Sequence, residues 1–163
     1  MSEPLAVLLL PAKLEDFELG EHARDLLSIP RVLALEPSRF NPPRWLRETL
    51  PMRTARRLKF PGEPRVFVLY HPRQYPLARA LWARYEQAEL WYVRPIPEQL
   101  LAADPREELG FFDELARERA GETRVLSQTA KPHELRQTLR ARLLELEIIS
   151  SRPFVPGARV HTR

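Results

Sequence analysis

The sequence predicts an α/β domain in which strands and helices alternate around a mostly parallel sheet. Three observations carry this. Short apolar or β-branched runs recur at Leu5 to Leu10, Arg31 to Leu35, Arg65 to Tyr70, Glu89 to Val93 and Thr123 to Leu126. Stretches with helical spacing of apolar residues lie between them. Prolines and glycines, 17 and 5 in number, fall mainly where one pattern gives way to the next.

Each element follows from its own residues. Leu5 to Leu10 is continuously apolar and stops at Pro11, as in a strand buried on both faces. From Glu18 to Leu27, Leu19, His22, Ala23, Leu26 and Leu27 fall at helical spacing, and Ile29-Pro30 closes the element. Arg31 to Leu35 is the second strand. Pro37 to Pro64 is rich in proline and arginine, with an irregular turn at Asn41-Pro42-Pro43 and a short helix expected over Met52 to Phe60. The third strand, "RVFVLY", leads to a helix whose Ala78, Leu81, Trp82 and Tyr85 share a face. "ELWYV" is the fourth strand. Asp104-Pro105-Arg106-Glu107 has the order of a capped helix start, with the helix running to about Arg119 and stopping at Gly121. After the fifth strand, Pro132 opens a last helix, ending near Ile149, with Leu135, Leu139, Leu143 and Leu146 as its seam.

Parallel neighbours need crossover connections, which are right-handed and place helices on both faces. The expectation is therefore a single three-layer Rossmann-like domain with a five-stranded, mostly parallel sheet over residues 1–149, and a C-terminal tail over 150–163. A chain of 163 residues is long enough for one sizeable core and short for two.

Composition narrows the function classes. No apolar run reaches the roughly 18 residues of a membrane span. Met1-Ser2-Glu3-Pro4 lacks the basic start of a secretory leader, so a cytoplasmic location is expected. With no cysteine there are no disulfides, thiolate metal sites or thiol nucleophiles. Abundant arginine and proline resemble a thermophile's composition. No Gly-x-Gly-x-x-Gly follows the first strand and no Gly-x-x-x-x-Gly-Lys occurs, so no dinucleotide or P-loop cofactor is expected. His22, His71, His133 and His161 have no zinc-ligand spacing, so no metal is assigned; His22 is read as a core or second-layer residue. No serine has a nucleophile-elbow context, and no complete catalytic constellation is visible.

In open α/β sheets ligands bind beyond the carboxyl ends of the strands, where strand order reverses. The residues standing there are Lys13, Glu15 and Asp16, then Glu36, Ser38 and Arg39, then His71, Arg73 and Gln74, then Arg94, then Ser127, Gln128 and Thr129. His71, Arg73 and Gln74 are the foremost ligand-binding candidates. A helix start offers free amides and a positive dipole end, Arg73 adds a planar donor for phosphate or carboxylate, and His71 can donate or exchange a proton. The plainer alternative is a capping histidine beside a solvated arginine. Adjacent Glu15 and Asp16 could hold a cation or act as acid and base, but such pairs are common in loops.

Charge supplies a second candidate. Eight basic residues between Arg39 and Arg65 face only Glu48 and Glu63, in a chain of net charge +4. Arg44, Arg47, Arg53, Arg56, Arg57 and Lys59 form a candidate basic surface interleaved with Trp45, Leu50, Met52, Leu58 and Phe60. Such a mixture suits a nucleic-acid backbone or an anionic membrane surface, against the simpler reading of a solvated arginine face over a core.

A strand ending "VLYHP", followed by a helix and then the strand "ELWYV", resembles the acceptor-side Rossmann domain in the N-terminal half of GT-B glycosyltransferases. The likeness spans Leu5 to Ile149 in element order and Val66 to Val93 in motif. It implies a cleft at the strand ends, with His71 and Arg73 as matching positions, that takes an anionic or sugar-bearing small molecule. The glycine-rich first turn and the donor-nucleotide domain of those enzymes have no counterpart in these residues, so the resemblance implies a subunit that needs a protein partner for catalysis, a domain of a longer protein, or a descendant with another task. The competing expectation is a non-enzymatic module that binds nucleic acid or a protein through the 39–59 surface, or a nucleotide-sensing domain.

Overall fold

The computed structural model describes residues 3–10, 20–35, 50–94, 105–119, 123–127 and 132–151. It is an α/β arrangement of parallel strands and helices. In chain order the elements are β1 (Pro4–Leu9), α1 (Gly20–Leu27), β2 (Val32–Leu35), α2 (Leu50–Arg57), β3 (Glu63–Leu69), a 3-10 turn (Pro72–Gln74), α3 (Tyr75–Arg84), β4 (Glu89–Arg94), α4 (Pro105–Arg119), β5 (Thr123–Ser127) and α5 (Pro132–Ser151). The sheet order is β2-β1-β3-β4-β5, with each neighbouring pair parallel. The chain steps outward from β1 to β2, then crosses back to β3 on the other side of β1. The reversal of strand order thus lies between β1 and β3.

The alternation of each strand divides the interior in two. Ala6, Leu8 and Leu10 of the first strand region join Val66, Val68, Tyr70, Trp91 and Val93 under α1 and α5. Val7 and Leu9 point the other way, with Phe67, Leu69, Leu90 and Tyr92, under α2, α3 and α4. This double burial is why β1 reads as an unbroken apolar run. The seam of the last helix, Leu135, Leu139, Leu143 and Leu146, is buried in the first core. Ala78, Leu81 and Trp82 are buried in the second, with Tyr85 packed half-buried beside them. The Trp82 indole donates to the Ala88 carbonyl at 2.6 Å, which satisfies its polar edge inside the core.

Element limits differ from the sequence expectation in ways that have local causes. The second helix ends at Arg57 rather than Phe60, because the residue before Pro61 is disfavoured in helical geometry. Arg84 closes that end, its Nη1 donating to the carbonyls of Ala55 at 3.0 Å and Leu58 at 2.6 Å. The third strand starts at Glu63, two residues early, despite Pro64. A bulge makes this workable: Leu5 pairs with Pro64 and Ala6 with Val66, so Arg65 is the extra residue beside a proline that cannot donate to the ladder. The last helix continues to Ser151, which moves the expected boundary at residue 149 outward; the tail from 152 onward and the stretches at 36–49 and 11–19 lie outside the described residues. No helix among the described residues is long and apolar enough to cross a membrane.

Gly62 fixes how closely β3 approaches β1. A Cβ placed there would lie 2.5 Å from the Glu3 carbonyl oxygen and 3.1 Å from Leu5 Cγ, and that same carbonyl accepts from the Glu63 amide at 2.9 Å. Gly62→Ala must therefore push apart the first rung of the central pair. The expected loss is about 1–3 kcal/mol in urea unfolding, the usual scale for overpacking; an unchanged midpoint would show that the rung is not a constraint.

Candidate functional site

His71 sits just past the end of β3, on the side of the sheet where the strand order reverses. Its backbone is extended (φ −151°, ψ 141°), so it continues the strand before the chain turns into Pro72–Gln74. The side chain is 4 % exposed, and Nδ1 accepts from the Arg73 amide at 3.0 Å. An Nδ1 that accepts places the proton of the neutral ring on Nε2, which leaves Nε2–H as the donor. Burial lowers the pKa of the ring from its ordinary 6.5; the Arg73 guanidinium acts in the same direction and Glu107 opposes it. At neutral pH His71 is an uncharged donor.

The free backbone amides expected after "VLYH" are not there. The Arg73 amide serves His71, the Gln74 amide donates to the His71 carbonyl at 3.0 Å, and the Tyr75 amide donates to Pro72. Pro76 has no N–H. A 3-10 turn inserted before the helix uses up the donors that a bare helix start would offer. What the segment presents instead is the exposed Arg73 guanidinium and the half-buried Gln74, whose side chain makes no capping bond to α3, while the His71 ring stays buried. The capping role set against His71 as a ligand residue is thus its observed geometry, and it is also what orients the ring.

The structure brings several strand-end candidates together. Arg94 pairs in register with Ser127, and β3 pairs with β4 through Leu69 and Tyr92. His71 follows two residues after Leu69 as Arg94 follows two after Tyr92, so both stand at the carboxyl edge of neighbouring strands. Arg94 and Ser127 are register partners at that edge, and Arg94 reaches Glu108 of α4 there. Lys13, Glu15, Asp16, Glu36, Ser38, Arg39, Gln128 and Thr129 lie outside the described residues.

The first turns of α4 complete this corner, and sequence reasoning had read them only as a helix start. Glu108 is 8 % exposed; its Oε2 accepts from the Tyr92 hydroxyl at 2.8 Å and its Oε1 pairs with Arg94 Nη2 at 2.5 Å. Burial, then the bond to Glu108, raises the Tyr92 pKa, so the phenol stays protonated and donates. The neighbouring Glu107 approaches Arg73 Nε at 3.9 Å. Between the 3-10 turn and α4 runs an open groove of about 240 Å³. Pro72, Arg73, Tyr75 and Pro76 form one wall, and Glu107, Gly110, Phe111 and Glu114 form the other. The signal was available in the sequence: residues 107, 110, 111 and 114 share one helical face.

The other candidate surface is only partly described. Arg44 and Arg47 lie outside the described residues, whereas Arg53, Arg56, Arg57 and Lys59 are exposed. Arg53, Arg56 and Arg57 stand at i, i+3 and i+4, on neighbouring positions of α2. Leu58 and Phe60 pack against the second core and Phe60 meets Tyr85 edge to face at 5.8 Å, so these apolar partners turn inward. Among the described residues no group of three or more acidic or histidine side chains could hold a metal ion.

The lowered pKa of His71 has a sign for stability. The unfolded chain takes up the proton first as pH falls below about 6.5, so the stability present above that value is lost toward more acidic pH. His71→Asn keeps a capping side chain and removes the titration. Between pH 7 and 5 its unfolding free energy should fall less steeply than that of the parent chain, and equal slopes would remove His71 as the cause. No family model, curated protein or solved structure matches the chain in the comparisons made with known proteins.

Proposed function

We propose that the chain is a Rossmann-like ligand-binding domain, three-layered on a five-stranded sheet, that takes an anionic or sugar-bearing small molecule at the carboxyl ends of its strands. The single observation that carries this reading is the coincidence of His71 with the reversal of strand order between β1 and β3. Helices over both faces and the order β2-β1-β3-β4-β5, which is that of the flavodoxin-like doubly wound sheets, support the finer fold description. In this site Arg73 is the anion contact, His71 Nε2–H a neutral donor and Gln74 an adaptable polar contact, with Arg94 alongside and held by Glu108. The relation to the acceptor half of a glycosyltransferase belongs to the same proposal.

Arg73 has a side chain 73 % exposed and a long contact to Glu107, so it contributes little to folding. Arg73→Ala should therefore abolish the thermal shift produced by a responsive ligand in a panel of sugar phosphates and nucleotide-sugars, while the melting temperature of the free chain stays nearly unchanged. A ligand at about a hundred times its dissociation constant adds roughly 2.7 kcal/mol, which such a screen detects. Equal ligand response in the variant would remove the site.

The exposed cations of α2 and of the residues just after it favour a second reading, in which Arg53, Arg56, Arg57 and Lys59 contact a phosphate backbone. Because the described apolar neighbours face the core, this surface fits phosphates better than lipid tails or unstacked bases. Duplex binding should weaken steeply with salt, and neutralising each of these residues to Gln should lower the log–log slope by about 0.9 per lost contact. Absence of binding at low salt would sink this reading.

A further inference from the structure

The outward face of α5 carries a second apolar seam. Leu135, Leu139, Leu143 and Leu146 are buried in the first core, yet Leu144 is 50 % exposed and Ile148 is 66 % exposed. With the exposed Gln137 and Ala141 they stand at spacings of four, three and four, the rhythm of a helix that packs on another helix. The other exposed large hydrophobic among the described residues, Leu109, lies on α4. A surface helix needs only the one apolar stripe that covers its core, so the core gives no reason for this second one.

Beside this seam a groove of about 230 Å³ runs between the turn after α1 and α5. Ile29 and Pro30 stand on one side of it, and Arg140, Leu143, Leu144 and Glu147 on the other. The charges of the helix are unevenly met. Arg136 pairs with Asp25 and Arg142 with Glu89 and Glu145, whereas the exposed Arg140 guanidinium has no ion pair or hydrogen bond among the described residues. Glu147 holds Arg31, and its side chain is still 38 % exposed, so it can accept a second cation.

We propose that this face of α5 binds a second copy of the chain, with the two α5 helices antiparallel about a two-fold axis at Leu144. The face is complementary to itself in that arrangement. An axis at residue 144 sets residue 140 level with residue 148 of the second copy, and 141 level with 147. Each Ile148 then covers the small Ala141 of the other copy, each Leu144 stands level with the middle of the other's groove, and each Arg140 meets the other's Glu147. Glu145, on the far flank, is balanced within its own copy by Arg142. Helices running in the same direction set Ala141 against Ala141 and leave a gap between the larger residues. α5 covers the first core and α3 and α4 the second, so the strand-end site beside Arg73 stays open in the pair.

The test is the oligomeric state of the full chain by sedimentation equilibrium over a range of concentrations. One helix face is small beside the roughly 1,600 Å² of a standard interface, so a monomer–dimer equilibrium in the micromolar range is expected. Leu144→Glu sets two like charges at the axis and should weaken dimerisation by about tenfold or more. Its melting temperature should match that of the diluted parent, because residue 144 is half exposed in the single copy. Arg140→Glu should weaken the pair by about tenfold. Orientation is read by cross-linking, with no native cysteine to interfere. Leu144→Cys meets its own copy at the axis and should form a disulfide under mild oxidation, whereas Gln137→Cys lies about 21 Å from its copy along the helix and should not. A monomer at millimolar concentration, a dimer that Leu144→Glu leaves intact, or a cross-link through Gln137→Cys overturns the proposal. If a chain ending at Ser151 dimerises where the full chain does not, the proposal also falls and residues 152–163 are the occupant of the face.

Discussion

The close parallel pairing of β1 with β3 is the constraint on which the rest of the molecule is built. It requires Gly62 against the Glu3 carbonyl, and it requires a bulge to carry Pro64 inside a central strand. Once this pair forms, side-chain alternation divides the interior into two cores, and each helix has a face to cover. The pair also marks where the chain changes direction across the sheet. The carboxyl end of β3 opens at that point, and His71 stands on it because no further residue of the strand is left to pair.

The fourth strand is fastened in a different way, by charges at both ends. At its start Glu89 pairs with Arg142 of α5, whose Nε donates at 2.6 Å, and it also accepts from the Trp91 indole at 3.2 Å. At its finish Arg94 pairs with the buried Glu108 of α4. The two partners lie on helices that cover opposite faces of the sheet. A buried carboxylate is costly without partners, and Glu108 has both oxygens engaged. Its effect is to hold Arg94 at the sheet edge with the guanidinium still half in solvent.

Much of the fold was legible because it rests on periodicity. The two-sided burial of β1, the leucine seam of α5 and the apolar face of α3 each follow from spacing alone. The limits of elements were less legible where a local event intervened. The bulge at Arg65 depends on how two distant strands register, and the end of α2 depends on an arginine 27 residues beyond Arg57 in sequence. The candidate site divides in the same manner. His71, Arg73 and Arg94 could be named as strand-end residues, but which strands lie beside one another at that edge needs the strand order. The loss of the amides at residues 73 to 75 needs the 3-10 turn, which no pattern of apolar residues encodes. Glu107, Gly110 and Glu114 were visible as a helical face, yet only their placement opposite Arg73 gives that face a meaning.

The two cores share strand backbones and exchange no side chains, and each holds one buried indole: Trp91 under α1 and α5, Trp82 under α3. The remaining tryptophan is Trp45. With that residue replaced by phenylalanine, the chain carries one fluorophore on each side of its sheet. Emission from forms that keep only one of the pair then reads the two layers independently. Coincident melting curves would mean that the strands transmit the loss of one layer to the other, and separated curves would mean that the sheet insulates them.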